Sequence, residues 1–370
     1  MKKNVFRFGF IFVGIAMLLA ACAPAATPTV PAATQPPQVI VQTKIVAGTP
    51  VVQQVVVTAT PAPTKATGPF KIAVIMPSAI NDQAFSQSMW EGLLAVQKEM
   101  GGESKLELAK SENLFNVPDA AAAIRDYASK GYDLVIAHGS QYGTSLAQVA
   151  PDFPQTSFAW GTSLDTFQEQ GINNIFAYQA EAEQGGYVLG TLAALMSKTG
   201  KVGVIGPVEA GDAKLYVDGF KDGAKKTKPS LSVAVTYTGS FSDTAPMANA
   251  ATTQIQNGAD ILTGSSQAVV GAIGVARSDN LPWFGTQWTQ ASLAPKNEVS
   301  AQVYDWTPIL KQMFTAIRGG TLGGATYTIG LGNGGEVVQY NPGYPLPANV
   351  KAKADSLIKA ITDGTLTPPQ

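Results

Sequence analysis

Short apolar runs alternate with longer amphipathic stretches along residues 70–302 of the chain. The short runs predict buried strands at Lys71–Met76, Asp133–Ala137, Thr156–Trp160, Lys201–Ile205, Ser232–Tyr237, Asp260–Thr263 and Leu281–Gly285. The amphipathic stretches predict helices at Ser86–Met100, Val117–Lys130, Thr144–Ala150, Glu181–Lys198, Ala213–Lys226, Met247–Asn257 and Gln267–Ser278. Strands that alternate with helices of this length indicate βαβ units, so we expect an α/β fold with doubly wound parallel sheets.

The alternation runs twice, at about residues 70–177 and again at about 178–302. Because 370 residues is long for a single domain, this repetition predicts two lobes. Ligands of open α/β sheets bind beyond the carboxyl ends of the strands. We therefore expect a cleft between the lobes, with both sets of strand ends pointing into it.

The C-terminal tail predicts hinge strands between the lobes. Ala301–Gly319 begins like a strand and continues as a helix, and Thr326–Leu331 and Glu336–Gln339 are two further strands. We expect this tail to cross back to the first lobe and return, which gives three hinge strands. The predicted division is 70–177 plus 303–320 for lobe 1 and 178–302 plus 321–370 for lobe 2.

The N-terminus has the layout of a secretory signal peptide, predicted at residues 1–21. A short basic region precedes an uncharged apolar stretch that ends in Leu19, Ala20 and Ala21. These residues and Cys22 resemble the lipobox of bacterial lipoproteins, in which the cysteine is acylated. Cys22 is the only cysteine, so it forms no disulfide within the chain. We expect a lipid anchor on the extracytoplasmic side of the cell membrane; the alternative, a buried unmodified thiol, is less favoured.

Residues 22–69 are rich in Pro, Ala, Thr, Val and Gln, and no aromatic residue occurs between Cys22 and Phe70. Such a composition cannot bury enough apolar surface to form a core and favours an extended spacer. We predict a disordered tether here. Val39–Val46 and Val51–Val57 are β-prone, and a weak hairpin between them is the alternative.

Composition and motifs argue against several classes of protein. The net charge is −1 and 14% of residues are charged, so the composition gives no sign of the positively charged surface that binds nucleic acid. His138 is the only histidine, and the chain has no G-x-S-x-G elbow, no G-x-x-x-x-G-K-[ST] loop and no cluster with metal-ligand spacing. We therefore predict no catalytic residue, no metal and no cofactor. A repressor is excluded because the signal peptide and tether stand where a DNA-binding motif would be.

The predicted strand ends of lobe 1 carry candidate ligand contacts. Asn81, Asp82, Phe85 and Ser86 follow the first strand and lead into a helix, where backbone N–H groups, polar edges and a stacking ring are available. The alternative is a capping Asn or Asp with a core Phe. Further candidates follow later strands: His138, Gly139, Ser140 and Trp160. A hydrogen-bonded structural role is favoured for His138, and core burial of Trp160 is an equal alternative.

Lobe 2 and the hinge supply the other candidates. Gly206 and Gly264 end predicted strands, and Gln287 and Trp288 follow another. The remaining candidates lie at the next hinge strand: Tyr304, Asp305 and Trp306.

The segment Asn81–Gly92 (NDQAFSQSMWEG) resembles the first-loop signature of the basic membrane protein family. These PnrA-like lipoproteins are nucleoside-binding subunits of ABC importers. The similarity runs from Phe70 to about Gly364, and further matching segments are Gly131–Ile136, Gly190–Gly203, Gly239–Asp243 and Gly258–Asp260. The resemblance implies a type I periplasmic-binding-protein fold, a purine ligand, an ABC permease as partner and a monomeric chain.

The sequence departs from the family at two places. Members carry G-V-D-x-D-Q, in which the first Asp holds ribose hydroxyls, where this chain has Gln287 within GTQWTQ. A lysine that members often carry at the next hinge strand is also missing. These departures weaken the case for ribose, and the added aromatic residues Trp283 and Trp288 favour a flat ligand such as a free purine base. We expect a purine nucleobase or nucleoside; a sugar, another planar polar solute, or a sensor that signals to a membrane receptor are alternatives, and a nucleoside hydrolase is disfavoured.

Overall fold

The computed structural model describes residues 38–46, 49–57 and 68–370. The predicted signal peptide, Cys22 and most of the predicted tether lie outside the described residues. The chain divides into two units, residues 1–66 and 67–370. In the first unit, strands β1 (Gln38–Val46) and β2 (Thr49–Val57) pair antiparallel, with Gln38 opposite Val57. Of the two alternatives for this stretch, the structure contains the hairpin, in keeping with its many β-branched residues.

The second unit contains twelve strands and nine α-helices among the described residues. The strands are β3 (Phe70–Ile75), β4 (Leu106–Ser111), β5 (Leu134–Ala137), β6 (Ser157–Gly161), β7 (Ile175–Ala180), β8 (Lys201–Gly206), β9 (Ser232–Tyr237), β10 (Ile261–Gly264), β11 (Trp283–Gln287), β12 (Glu298–Tyr304), β13 (Thr326–Ile329) and β14 (Glu336–Tyr340). The helices are α1 (Phe85–Glu99), α2 (Val117–Ser129), α3 (Gly143–Val149), α4 (Ala182–Met196), α5 (Gly211–Thr227), α6 (Thr244–Gln256), α7 (Val270–Ser278), α8 (Thr307–Arg318) and α9 (Ala348–Thr362). Every strand and helix predicted above is present within a few residues of its predicted bounds, whereas β4, β7 and α9 were not predicted.

Two six-stranded sheets form the two lobes. The first sheet has the order β13-β7-β6-β5-β3-β4, and all its neighbours are parallel. The second has the order β14-β12-β11-β10-β8-β9, and only β14 runs antiparallel to its neighbour. The α/β fold with two doubly wound parallel-sheet lobes is therefore confirmed.

The chain passes between the lobes three times: from β7 to α4, from β12 to α8 and from β13 to β14. The predicted boundary at residue 321 needs correction, because β13 pairs with β7 and completes the sheet of lobe 1. Helix α8 also packs on lobe 1, with the Phe314 ring 4.8 Å from that of Phe70. Lobe 1 therefore includes the tail as far as β13, and β14 and α9 belong to lobe 2.

Helices α4 and α5 touch through glycines that recur every fourth residue. Gly186 and Gly190 lie on α4, and Gly219 and Gly223 lie on α5. A Cβ at Gly190 would overlap the carbonyl oxygen of Phe220, and one at Gly223 would overlap that of Tyr187. The two backbones are thus in direct contact, which only residues without a side chain allow.

Within the described residues, these helices and the others are too short or too polar to cross a membrane.

Candidate ligand-binding cleft

A cavity of about 400 Å³, including its open mouth, lies between the two lobes. Its walls follow the carboxyl ends of the strands in both sheets, as expected for parallel α/β lobes. Lobe 1 contributes Pro77, Phe85, Gly139, Ser140, Gln141 and Thr162. Lobe 2 contributes Pro207, Ala210, Asp212, Ala213, Phe241, Ser265, Ser266, Gln267 and Gln287.

The lobes are closed over this cavity. Across the cleft, the Gln290 side chain donates to the backbone oxygen of Gln83 at 3.2 Å, and Ser292 Oγ donates to Gln83 Oε1 at 3.0 Å. The rings of Phe115 in lobe 1 and Phe241 in lobe 2 are 6.2 Å apart. Direct contacts between the lobes characterise the closed form of a hinged two-lobe protein.

Two residues of the first loop have different roles: Asp82 caps helix α1, and Phe85 lines the cavity. Asp82 accepts backbone N–H groups from Ala84 at 2.9 Å, Ser86 at 3.2 Å and Gln87 at 3.1 Å. Its carboxylate is thus committed to the N-terminus of α1, so the capping alternative describes Asp82. Asn81 is exposed and Ser86 is buried, and neither lines the cavity. Phe85 does line it.

Buried aromatic side chains pack against the Phe85 ring in the protein interior. The His138 ring stacks on Phe85 with centroids 3.7 Å apart, and its Nδ1 and Nε2 lie 2.7 Å from Tyr178 Oη and 3.1 Å from the Phe85 carbonyl oxygen. Burial lowers the pKa of His138 to about 3, so the ring is neutral, donates to one partner and accepts from the other. Trp306 meets Phe85 edge-on and donates to Ser88 Oγ at 2.9 Å. His138 and Trp306 therefore hold Phe85 in place and do not reach the cavity.

Several other predicted contacts also lie off the cavity wall. Trp160 stacks on Phe167 at 5.2 Å and donates to the Gly139 carbonyl at 3.2 Å, so its ring packs within lobe 1. Tyr304 is buried in the core, and Asp305 accepts the backbone N–H of Thr307 at the start of α8. The other predicted residues off the wall are Gly206, Gly264 and Trp288. Phe85, Gly139, Ser140 and Gln287 are the predicted residues that line the cavity.

Gln287 lies at the end of β11 with a left-handed backbone, at φ 66°. Its side-chain nitrogen donates to Ser265 Oγ at 3.3 Å, which leaves its Oε1 buried and unpartnered among the described residues. Gln141 Nε2 and Gln267 Oε1 on the same wall are also buried without a partner. Because buried polar atoms are almost always satisfied, these atoms are suited to hydrogen-bond a ligand.

Asp212 is the functional candidate that sequence reasoning missed. It lies in the first turn of α5, it is one of the residues that line the cavity, and it is only 3% exposed. Neither carboxylate oxygen has a hydrogen-bond partner in the described structure. Burial raises the pKa of Asp212 to about 8. In the sequence it resembles an ordinary acidic residue at a helix start, so no local signal distinguishes it.

Comparisons with known proteins agree with this architecture. A family model described as ABC transporter substrate-binding protein PnrA-like matches residues 70–362. A purine-binding protein of Brucella abortus (strain 2308) is 30% identical over 264 residues, which cover 71% of this chain and 73% of that protein. The nucleoside-binding protein BmpA of an ABC transporter of Lactococcus lactis subsp. cremoris is 29% identical over 50% of this chain and 51% of its own length.

Among solved structures, a solute-binding protein of an ABC transporter system from Conexibacter woesei DSM 14684 superposes with a TM-score of 0.65 at 25% identity. The superposition covers 81% of this chain and 98% of that protein. The names of these three relatives describe ligand-binding proteins. The chain belongs to the PnrA-like family of ABC-transporter substrate-binding proteins.

Proposed function

We propose that this protein captures a purine base or nucleoside in the closed cleft and delivers it to an ABC permease on the extracytoplasmic side of the membrane. The observation that carries the proposal is the composition of the cavity wall. Each lobe contributes one phenylalanine ring, Phe85 and Phe241, beside unpartnered amide and carboxyl groups. Aromatic faces suit a planar heterocycle, and the polar atoms can orient its edge. The Brucella and Lactococcus relatives, one named as purine-binding and one as nucleoside-binding, support the same ligand class.

A free base fits this cavity better than a riboside. Gln287 stands where the family pattern has the ribose-binding Asp, and its amide oxygen is a weaker acceptor for paired hydroxyls than a carboxylate. The aromatic support for a flat ligand comes from Phe85 and Phe241, since Trp283 is buried in the core and Trp288 lies off the cavity wall. Acylation of Cys22 would hold the protein on the membrane, and ligand would shift the two lobes toward the closed form.

A thermal-shift screen tests this function. The full-length chain is heated with purine bases, pyrimidine bases, nucleosides and common sugars. A purine base at about 100 times its Kd should stabilise the native state by about 2.7 kcal/mol. For a protein of this size that corresponds to a rise in Tm of about 4 °C. An equal shift with nucleosides would keep the proposed function and remove the preference for free bases, whereas a shift with sugars alone would contradict the purine assignment.

Replacing Phe241 with alanine should weaken purine binding by about 10–100-fold, because the lobe 2 stacking face would be lost. Isothermal titration calorimetry measures the affinity. Phe115→Ala is the matched control, since Phe115 contacts the Phe241 ring, is 42% exposed and does not line the cavity. The control should bind within a few-fold of the unmodified protein. Equal losses in both variants would mean that Phe241 acts through lobe closure and not through the ligand.

A further inference from the structure

Asp212 is the single charged side chain among the residues that line the cavity. The wall contains no Lys or Arg, so a carboxylate here has no cation of the protein beside it in the cavity. Neither of its oxygens has a partner in hydrogen-bond geometry in the described structure, although the residue is 3% exposed, and the backbone N–H groups of Ala180 and Asp212 lower its pKa only in part. A buried carboxylate without donors is costly, and the cost is removed if a ligand supplies them.

The wall offers fixed acceptors rather than fixed donors. The Gln287 nitrogen is held by Ser265 Oγ at 3.3 Å, so the oxygen is the free end of this amide. Asp212 carries a proton when the cleft is empty, and once that proton is released its carboxylate can only accept. The amide of Gln267 is not anchored in this way among the described residues, so it can rotate to present either its oxygen or its nitrogen. The polar groups whose orientation is fixed, Gln287 and Asp212, are therefore acceptors that need hydrogen-bond donors on the ligand.

The geometry of a carboxylate selects among ligand donors. Two N–H groups that are adjacent and coplanar meet the two oxygens in two parallel hydrogen bonds. A pair of ribose hydroxyls also supplies two protons, but each hydroxyl oxygen brings lone pairs that need donors of their own. The fixed groups of the wall are acceptors. Adjacent N–H groups therefore satisfy Asp212 and leave fewer ligand atoms without a hydrogen-bond partner than a pair of hydroxyls does.

We propose that Asp212 is a specificity-determining residue that selects purines in which a ring N–H lies beside an exocyclic amine, the edge that guanine has and hypoxanthine lacks. This proposal rests on the proposed function and deepens it. The raised pKa of the Asp212 carboxyl agrees with it. A donor pair favours the ionised form, so guanine binding near neutral pH should release a proton from this group.

Calorimetry with the full-length chain tests the assignment. The ligands are guanine and hypoxanthine, with guanosine and inosine as a second, more soluble pair that also differs by the exocyclic amine. A good bidentate contact discriminates by about 1–3 kcal/mol, so the unmodified protein should prefer the guanine form by about 5–150-fold. Asp212→Asn should abolish that preference, because an amide pairs an acceptor with a donor.

Two further measurements make the result decisive. The control variant is Asp218→Asn on the same helix, where Asp218 pairs with Lys214 away from the cavity wall; it should keep the preference. Titrations at pH 7 in buffers of different ionisation enthalpy count the proton released by the unmodified protein, and this count needs no variant that must fold. Equal binding of the two purines, or a preference that persists in Asp212→Asn, or guanine binding without proton release, overturns the role of Asp212 alone. The absence of any purine binding overturns the proposed function as well.

Discussion

Replacing Gly190 with alanine should destabilise residues 67–370 by about 3 kcal/mol or more. The added methyl group would overlap the Phe220 carbonyl oxygen and lie 2.7 Å from its carbon, and backbone atoms cannot rotate away as a side chain can. The clash can be relieved only if α4 and α5 move apart, which would also break the neighbouring contact at Gly223. Urea denaturation followed by circular dichroism measures the free energy of unfolding.

Gly274→Ala is the matched control for that variant. Gly274 lies within helix α7, and a Cβ there would meet nothing within 4 Å. Alanine should therefore stabilise the protein by about 0.5–1 kcal/mol, the ordinary gain of helix propensity over glycine. If Gly190→Ala were as stable as Gly274→Ala, the close backbone contact between α4 and α5 would not exist in solution.

The ligand-free protein should lose stability as the pH rises from about 4 to about 8, and Asn at position 212 should remove part of that loss. Burial raises the pKa of Asp212 in the folded protein to about 8, from the 3.8 that is ordinary for an aspartate. Between those values the folded state holds a proton that the unfolded state has released. Stability therefore falls with rising pH, by up to about 1.4 kcal/mol per pH unit for this one group. Chemical denaturation at several pH values measures the slope.

Other buried groups contribute to the total slope, so the comparison with Asp212→Asn is what isolates Asp212. Burial raises the pKa of Glu298 to about 7 and that of Glu336 well above its usual value, and both act in the same direction as Asp212. The lowered pKa of His138 acts in the opposite direction, because acid below about pH 6.5 favours the unfolded state that can take up the proton. If the stability of the unmodified protein and of Asp212→Asn changed with pH in the same way, Asp212 would not be buried and protonated in the empty cleft.

The alternation of apolar and amphipathic segments was enough to predict the two parallel sheets, but not all their members. Strand β4 was missed because it lies at a sheet edge and buries only Leu106 fully. Helix α9 was missed because only Val350, Ala354 and Ile361 are buried in a segment rich in lysine. The lobe boundary in the tail was wrong for β13, since a short strand carries no signal that says which of two sheets it joins.

The position of the cleft was predictable and most of its side chains were not. Parallel strands place their carboxyl ends at one edge, so the correct loops follow from chain direction alone. Which way a loop side chain turns depends on competing partners. Asp82 turns to the N–H groups of α1, Trp306 turns into the core toward Ser88, and Asp212 is among the residues that line the cavity. Such choices are made by tertiary contacts between residues far apart in the sequence.

The three passages between the lobes also determine when each lobe can be completed during synthesis. Lobe 1 obtains its edge strand β13 only after the ribosome has made residue 329, and lobe 2 obtains β14 and α9 later still. Domains usually fold from the N-terminus as they emerge, each as a unit. Here neither lobe is a continuous segment, so the nascent chain stays incomplete in both halves, with the edge of β7 unpaired, until nearly its whole length has been translated.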